Sequence, residues 1–254
     1  YVAANDAYPD PTTGKSRELD LMAMAARRLS RERGFVFNVL LIECVNNSQP
    51  LVLLTKKPQV GFLFHEDVRL AGLPAKLFDQ RAGRWVKLQE ALHLRTFHHY
   101  CTPQVATQFC SFAKKPGSDW MALHEGPHFD SFAKLCDAVD YFQDKHFKSW
   151  RFSDNEPVNV EFYYPVLVVQ GDLLEGRVGK NSVVLKPATH LQFRRTVVRS
   201  SEAATYQIDV VQEQRFARFE SMLDRELELI VRRLKARSRV VRDSVSKIAL
   251  SARR

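Results

Sequence analysis

The clearest pattern in the chain is a pair of apolar segments near its N-terminus. Residues 16–28 carry Asp20 amid apolar side chains, and Phe35 to Ile42 form an apolar run that ends at Glu43. Segments of this kind predict two strands, and the polar residues 30–34 between them suit an antiparallel connection. This pairing predicts that Asp20 and Glu43 meet at one end of a sheet. Glu18 alternates with Asp20, and we interpret it as solvated rather than as a further ligand.

Later segments predict a mixed α/β domain with two prominent helices. Phe132, Leu135, Cys136, Val139 and Phe142 form one apolar face of a helix over 129–147. The spacing of other apolar residues predicts a helix over 103–115 and a long C-terminal helix from Gln212 to about Ala236. Apolar runs predict further strands at 1–6, 50–55, 165–170, 181–185, 191–198 and 206–211. The run 50–55 also suits the start of a helix.

These elements predict a core over residues 1–211 and a C-terminal helix with a basic tail over 212–254. Residues 60–102 lose clear periodicity and contain glycine and proline, so we expect an insertion there. The chain has 254 residues and is 45% hydrophobic, which suffices for one large domain.

Composition limits the environment in which the protein acts. No run approaches the length of a membrane span and no secretory signal is visible, so we expect no membrane partner. The sequence begins at Tyr1 rather than Met, which leaves room for an upstream segment. Four cysteines lack any paired C-x-x-C spacing and predict reduced core thiols in a cytoplasmic protein. The net charge of +9 is compatible with binding a polyanion.

The acidic strand pair resembles the PD-(D/E)xK nucleases, whose fold is that of the type II restriction endonucleases. The similarity rests on Y-P-D-P-T-T-G-K-S-R-E-L-D-L-M-A and on I-E-C-V-N-N-S-Q-P-L-V-L-L-T-K, within residues 8–57. It implies a restriction-endonuclease-like mixed central sheet flanked by helices. It also implies a metal-dependent DNA endonuclease in which Asp20 and Glu43 hold Mg²⁺ or Mn²⁺. Pro9-Asp10-Pro11 is interpreted as a turn.

The resemblance fails at one position, because Val45 stands where the family has lysine. That lysine is expected to orient the attacking water and stabilise charge on the phosphate. Lys56 and Lys57 follow the next apolar run and are the candidates for a displaced lysine. The alternatives are a catalytically degenerate nuclease fold that acts as a DNA-binding or assembly module, and a chain with no metal site.

Clustered basic residues suggest where DNA would bind. Arg27 and Arg28 end the first strand. The C-terminal helix becomes strongly basic near its end, and this basic tail either contacts DNA phosphates or forms a homodimer contact. The C-terminal candidates for DNA contact are Arg232, Arg233, Lys235, Arg237 and Arg239.

Two other groups of residues are candidates for a site. Asp209 is a further acid within a predicted apolar strand and an alternative to Asp20 and Glu43. His98 and His99, with His124 and His128, suggest a zinc site, although packed histidines explain the pattern better.

Overall fold

The computed structural model is dominated by one large mixed β-sheet. It describes residues 1–11, 13–29, 34–57, 67–101, 104–114, 117, 120–123, 126–149, 158–179, 182–199 and 202–252. His124, one of the zinc candidates, lies outside these ranges. The strands are β1 Val2–Pro9, β2 Ser16–Arg28, β3 Gly34–Val45, β4 Leu51–Lys56, β5 Arg69–Leu73, β6 Lys76–Asp79, β7 Arg84–Lys87, β8 Val105–Lys114, β9 Trp120–Leu123, β10 Val158–Val169, β11 Leu173–Val178, β12 Val183–Pro187, β13 His190–Arg199 and β14 Glu202–Gln212. The helices are α1 Leu88–Ala91, α2 Gly126–Ser149, α3 Phe216–Ala236 and α4 Ser238–Ala252.

Within the part of the chain that the structure describes, twelve strands form the main sheet, and its first part is an antiparallel meander. Strands β1, β2 and β3 pair in sequence order, and β1, which contains the strand predicted over 1–6, lies at the edge of the sheet. Helix α2 then leads into β10, which pairs in parallel with β3 on one side and with β14 on the other. The path through the sheet is β1-β2-β3-β10-β14-β13-β8-β4-β11-β12. The expected large mixed sheet flanked by helices is therefore confirmed.

Short turns carry the parallel pair β3 and β10 into a second parallel pair, β4 and β11. The Asn47 side chain joins the two turns, because its Oδ1 accepts a hydrogen bond from the Gly171 N–H at 2.9 Å. A Cβ on Gly171 would lie 2.3 Å from the Asn47 carbonyl oxygen, so only glycine fits this approach. The ends of β3 and β10 are thus fixed side by side.

Two apolar layers cover opposite faces of the sheet. The predicted apolar face of α2 is buried against one layer, with Phe132, Leu135 and Val139 fully enclosed. Helix α3 covers the other layer through Phe219, Leu223, Leu227, Ile230 and Leu234. Both long helices were predicted, and each owes its place to its apolar stripe.

Three sequence predictions need correction or refinement. The helix predicted over 103–115 is wrong, because 105–114 are strand β8, which pairs with β4 and β9. Within the predicted insertion, β5 pairs with β10 and so joins the main sheet. The basic tail continues as helix α4, whose Ser244 accepts a hydrogen bond from the Phe78 N–H of β6. Strand pairing outweighs the helical spacing of the apolar residues in β8.

The four cysteines form no disulfide bond; Cys110 and Cys136 are buried, whereas Cys44 is exposed and Cys101 is intermediate. The prediction of core thiols thus holds for two of them. Among the described residues, no helix combines the length and the apolar character needed to cross a bilayer.

Candidate functional site at the end of β2 and β3

Asp20 and Glu43 lie close together at the end of the β2–β3 pair. The described ladder ends at the Leu21–Ile42 pair, and the two acids are the residues just beyond that pair. The Asp20 Oδ2 atom accepts a hydrogen bond from the Cys44 N–H at 2.7 Å. This contact holds the Asp20 carboxylate beside the backbone of Glu43. The structure therefore brings together the two acids that the sequence singled out.

Alternation along β2 is interrupted at Asp20. Leu19 packs in the layer under α2, whereas Leu21 packs in the layer under α3, although both are odd-numbered residues. Alternation therefore does not assign Glu18 and Asp20 to the same face. Glu18 is exposed and lies opposite Ala7 of β1. It is solvated, as we interpreted it from the sequence.

Glu43 is a buried carboxylate with an incomplete set of partners. Its residue is 3% exposed, and its Oε1 has no hydrogen-bond partner among the described residues. Its Oε2 accepts a hydrogen bond from the Lys134 Nζ of α2 at 3.3 Å. Burial raises the pKa of Glu43, Lys134 opposes that rise, and the charge of Asp20 adds to it. A further cation at this place would stabilise both carboxylates.

Several polar contacts fix α2 against the sheet and thereby place Lys134. The Tyr8 hydroxyl of β1 donates to the Lys134 carbonyl oxygen at 2.8 Å. Arg17 of β2 forms an ion pair with Asp137 of α2 at 3.2 Å. Arg199 of β13 pairs with both Asp137 and Asp140. Helix α2 is therefore tied to β1 and β2 on one side and to β13 on the other.

The lysine near the acids is not the one that the sequence suggested. Lys56 and Lys57 are exposed at the end of β4, a strand that pairs with β8 and β11 rather than with β2 or β3. The structure places neither of them against Glu43. Val45 packs in the apolar layer under α2, and the ammonium group beside Glu43 comes from Lys134. The sequence signal that could have identified Lys134 is its place between Phe132 and Leu135 on the apolar side of the predicted helix.

The basic residues that were predicted to contact DNA fall into two groups, those that pair with other parts of the chain and those that are exposed to solvent. Arg27 pairs with Asp224 of α3, and Arg233 donates to the Leu92 and His93 carbonyl oxygens. These two arginines hold α3 in place. Arg237 is partly buried beside α4 and lines a cavity with the β6–β7 hairpin. The candidates that are exposed to solvent are Arg28, Arg232, Lys235 and Arg239.

A second charged cluster lies between the sheet and α3, on the other face from Lys134. His99 Nδ1 lies 2.8 Å from Glu226 Oε2, and His99 Nε2 lies 3.2 Å from Asp209 Oδ2. The backbone N–H of His99 donates to Glu226 Oε1 at 2.6 Å, and His190 Nε2 lies 2.8 Å from Asp209 Oδ1. Asp209, the rival acid of the sequence, is thus fully buried between two histidines.

A charged imidazole at His99 satisfies this cluster best. Burial lowers the pKa of His99, but the carboxylates of Asp209 and Glu226 raise it more, to about 10. His99 and His190 hold the pKa of Asp209 well below its usual range, against the effect of burial. His98, His99 and Glu226 have ligand atoms within 4.8 Å of one another and could hold a metal ion. However, the His98 Nδ1 already accepts the Tyr100 N–H, and both His99 nitrogens face carboxylates.

The zinc hypothesis based on four histidines does not match this geometry. His128 lies on α2, which covers the opposite face of the sheet from His98 and His99. The described hydrogen bonds account for His98 and His99 as members of an ion network that joins α3 to β14.

This network predicts a loss of stability at alkaline pH. The folded pKa of His99 exceeds its unfolded value of 6.5, so its contribution is fully present below pH 6.5 and disappears as pH rises through about 10. We expect the free energy of unfolding to fall by up to about 1.4 kcal/mol per pH unit in that interval. Urea unfolding at several pH values measures the slope. His99→Gln should flatten it, and an equal slope in that variant would contradict the assignment.

The fold and site define an α/β protein with an acidic pair and a lysine at the edge of a mixed sheet. Comparison of the chain with models of protein families, with curated proteins and with solved structures gave no match. We therefore infer the function from the geometry of the site.

Proposed function

We propose that the chain is a divalent-metal-dependent DNA endonuclease with a restriction-endonuclease-like core. One observation carries the proposal. Asp20 and Glu43 lie close together just beyond the Leu21–Ile42 pair, with the Lys134 ammonium 3.3 Å from Glu43 and the Glu43 Oε1 without a hydrogen-bond partner among the described residues. Two carboxylates and an amine at a strand end are the groups that metal-assisted hydrolysis of a phosphodiester requires.

The order of elements supports the proposed core. A long helix, α2, precedes β10 in the chain, and β10 lies next to β3 in parallel. The Asp10 side chain accepts the Thr13 N–H at 2.7 Å, in keeping with the turn expected at Pro9-Asp10-Pro11.

The donor set fits a hard divalent ion. Carboxylate oxygens are the preferred protein ligands of Mg²⁺ and Mn²⁺, and Asp20 and Glu43 would hold the ion. The Glu43 Oε1 has no hydrogen-bond partner among the described residues, so it is free to bind the ion. A bound ion supplies a water of lowered pKa and neutralises charge on the phosphate.

The residues of the chain have separate roles in this proposal. Lys134 donates hydrogen bonds from a flexible stem, so its ammonium can serve Glu43 and a phosphate oxygen in turn. Its contacts through α2 to Tyr8 and Arg17 keep the amine at the strand end. Asp20 is held by the Cys44 N–H, which limits its rotation. Val45, in the position of the family lysine, packs against apolar neighbours and supplies no amine.

Incubation of supercoiled plasmid DNA with the protein tests the proposed activity. We expect conversion to nicked or linear DNA with Mg²⁺ or Mn²⁺ and none with a chelator. Nicking that persists in the chelator, or no nicking with either ion, would contradict the proposal.

Lys134→Met should lower the rate of nicking by about 10²–10³, the cost of losing one preorganised donor. Steady-state nicking rates at saturating DNA measure the change. Lys145→Met on the exposed side of α2 is the matched control and should retain activity. Equal rates in the two variants would exclude a role for Lys134 in the reaction.

A catalytically degenerate DNA-binding module is the second candidate, because Val45 has replaced the expected lysine. Both candidates bind DNA through exposed basic residues. Replacing Arg232 and Arg239 together by alanine should reduce the slope of log K against log salt by about two units. Fluorescence anisotropy with a duplex measures that slope, and Arg81→Ala on the β6–β7 turn is the control. An unchanged slope would show that Arg232 and Arg239 do not contact DNA phosphates.

Homodimer formation through the C-terminal helix is also a proposal. The apolar face of α3 is buried within the chain, so a dimer contact would use the outer surfaces of α3 and α4. Analytical ultracentrifugation measures the oligomeric state.

A further inference from the structure

A cavity of about 450 Å³ lies at the carboxyl ends of the parallel strands β3 and β10. Its apolar lining includes Leu21, Ile42, Val168 and Phe216. Ligands of open α/β sheets bind in crevices beyond the carboxyl ends of parallel strands, and this volume lies in the range of ligand sites. Position and lining both mark the cavity as a binding site.

The polar groups at the cavity are few and suit a planar heterocycle. Asn46 and Gln170 are exposed amides at the strand ends, and Glu213 begins the short turn before α3. Amides donate and accept hydrogen bonds together, and a carboxylate accepts from an exocyclic amino group. Phe216 offers an aromatic ring on which a base can stack. None of the described residues that line the cavity is the arginine or lysine that a phosphate pocket would present.

The cavity adjoins the acidic pair through the chain itself. Leu21 follows Asp20, and Cys44 follows Glu43, and both Leu21 and Cys44 line the cavity. Glu43 faces α2 while the cavity faces α3, so the two sites share the end of the sheet from opposite sides. A nucleotide whose phosphate lies at the acids would bring its own or the next base to this edge.

We propose that the cavity receives one unpaired nucleobase of the DNA strand that is cut. This inference rests on the proposed nuclease function and deepens it, because it names single-stranded or locally unpaired DNA as the substrate class. A base that is paired and stacked in a duplex cannot enter such a cavity, whereas an unpaired base enters at little cost.

Binding of short single-stranded oligonucleotides tests the proposal, with Ca²⁺ present in place of Mg²⁺. The probes are an oligonucleotide with a 2-aminopurine base at each position in turn and the same oligonucleotide with an abasic site there. At one position we expect the fluorescence of 2-aminopurine to change on binding, and the abasic oligonucleotide to bind about tenfold or more weakly.

Phe216→Leu keeps an apolar side chain but removes the ring. It should weaken binding of the intact oligonucleotide by about the same factor and should not weaken binding of the abasic one further. Phe35→Leu, an exposed phenylalanine at the other end of β3, is the matched control and should bind as wild type. Thermal unfolding confirms that both variants are folded.

Equal binding of intact and abasic oligonucleotides at every position would overturn the proposal, as would equal weakening of both by Phe216→Leu. The plasmid assay is separate. Nicking without base-dependent binding means that this inference fails while the nuclease proposal stands. Base-dependent binding without nicking means that the cavity assignment stands and the nuclease proposal fails.

Discussion

Asp20→Asn should abolish metal-dependent nicking of plasmid DNA while leaving the fold intact. The substitution removes one of two carboxylates at the end of β2 and β3, and with it the charge that would hold the ion. Loss of a single preorganised donor costs about 10²–10³ in rate, and we expect a larger loss here because the ion itself is no longer held. The neutral amide of the variant can no longer match the charge-assisted hydrogen bond that Asp20 accepts from the Cys44 N–H.

Glu18→Gln is the matched control for Asp20→Asn. Glu18 lies on the same strand but is exposed and opposite Ala7, so its loss should leave nicking unchanged. Gel analysis of supercoiled plasmid over a time course measures both variants. Equal activity of Asp20→Asn and wild type would show that the acidic pair is not the hydrolytic site.

Asp209→Asn should lower the free energy of unfolding by about 3–5 kcal/mol, the usual cost of breaking a buried ion pair by removing one partner. Asp209 is fully buried and accepts from both His99 and His190. Its loss leaves His99 with Glu226 alone and leaves His190 without its carboxylate partner. Helix α3 is joined to the sheet through this network, so the effect should extend to the whole domain.

Urea unfolding at pH 7 measures this prediction through the transition midpoint. Asp172→Asn, an exposed acid in the β10–β11 turn, should change the free energy of unfolding by less than about 0.5 kcal/mol. A similarly small effect of Asp209→Asn would mean that the charged cluster contributes little to stability.

The sequence predicted the acidic pair and the two long helices because local patterns carry them. Asp20 and Glu43 lie on strands joined by one short connection, so their meeting follows from antiparallel pairing. The stripe of α2 that includes Phe132 and Val139 repeats at helical spacing and is buried as expected. Here hydrophobic periodicity determines the element and its buried face.

The other features depend on tertiary contacts that no local pattern encodes. Lys134 reaches Glu43 from 91 residues away, and only the passage of α2 across the sheet brings it there. His99 and Glu226 are separated by 127 residues and meet because α3 folds back on the sheet. Val105, Phe109 and Phe112 fit a helical spacing, yet pairing with β4 makes the segment a strand.

Titration of the protein with Mn²⁺ by isothermal calorimetry tests most directly whether Asp20 and Glu43 form an ion site. Wild type should bind one ion, and Glu43→Gln should bind none under the same conditions, while Glu18→Gln retains wild-type binding. If Glu43→Gln binds Mn²⁺ with the stoichiometry and affinity of wild type, or if wild type binds no ion, the two carboxylates do not hold a metal and the nuclease proposal is wrong.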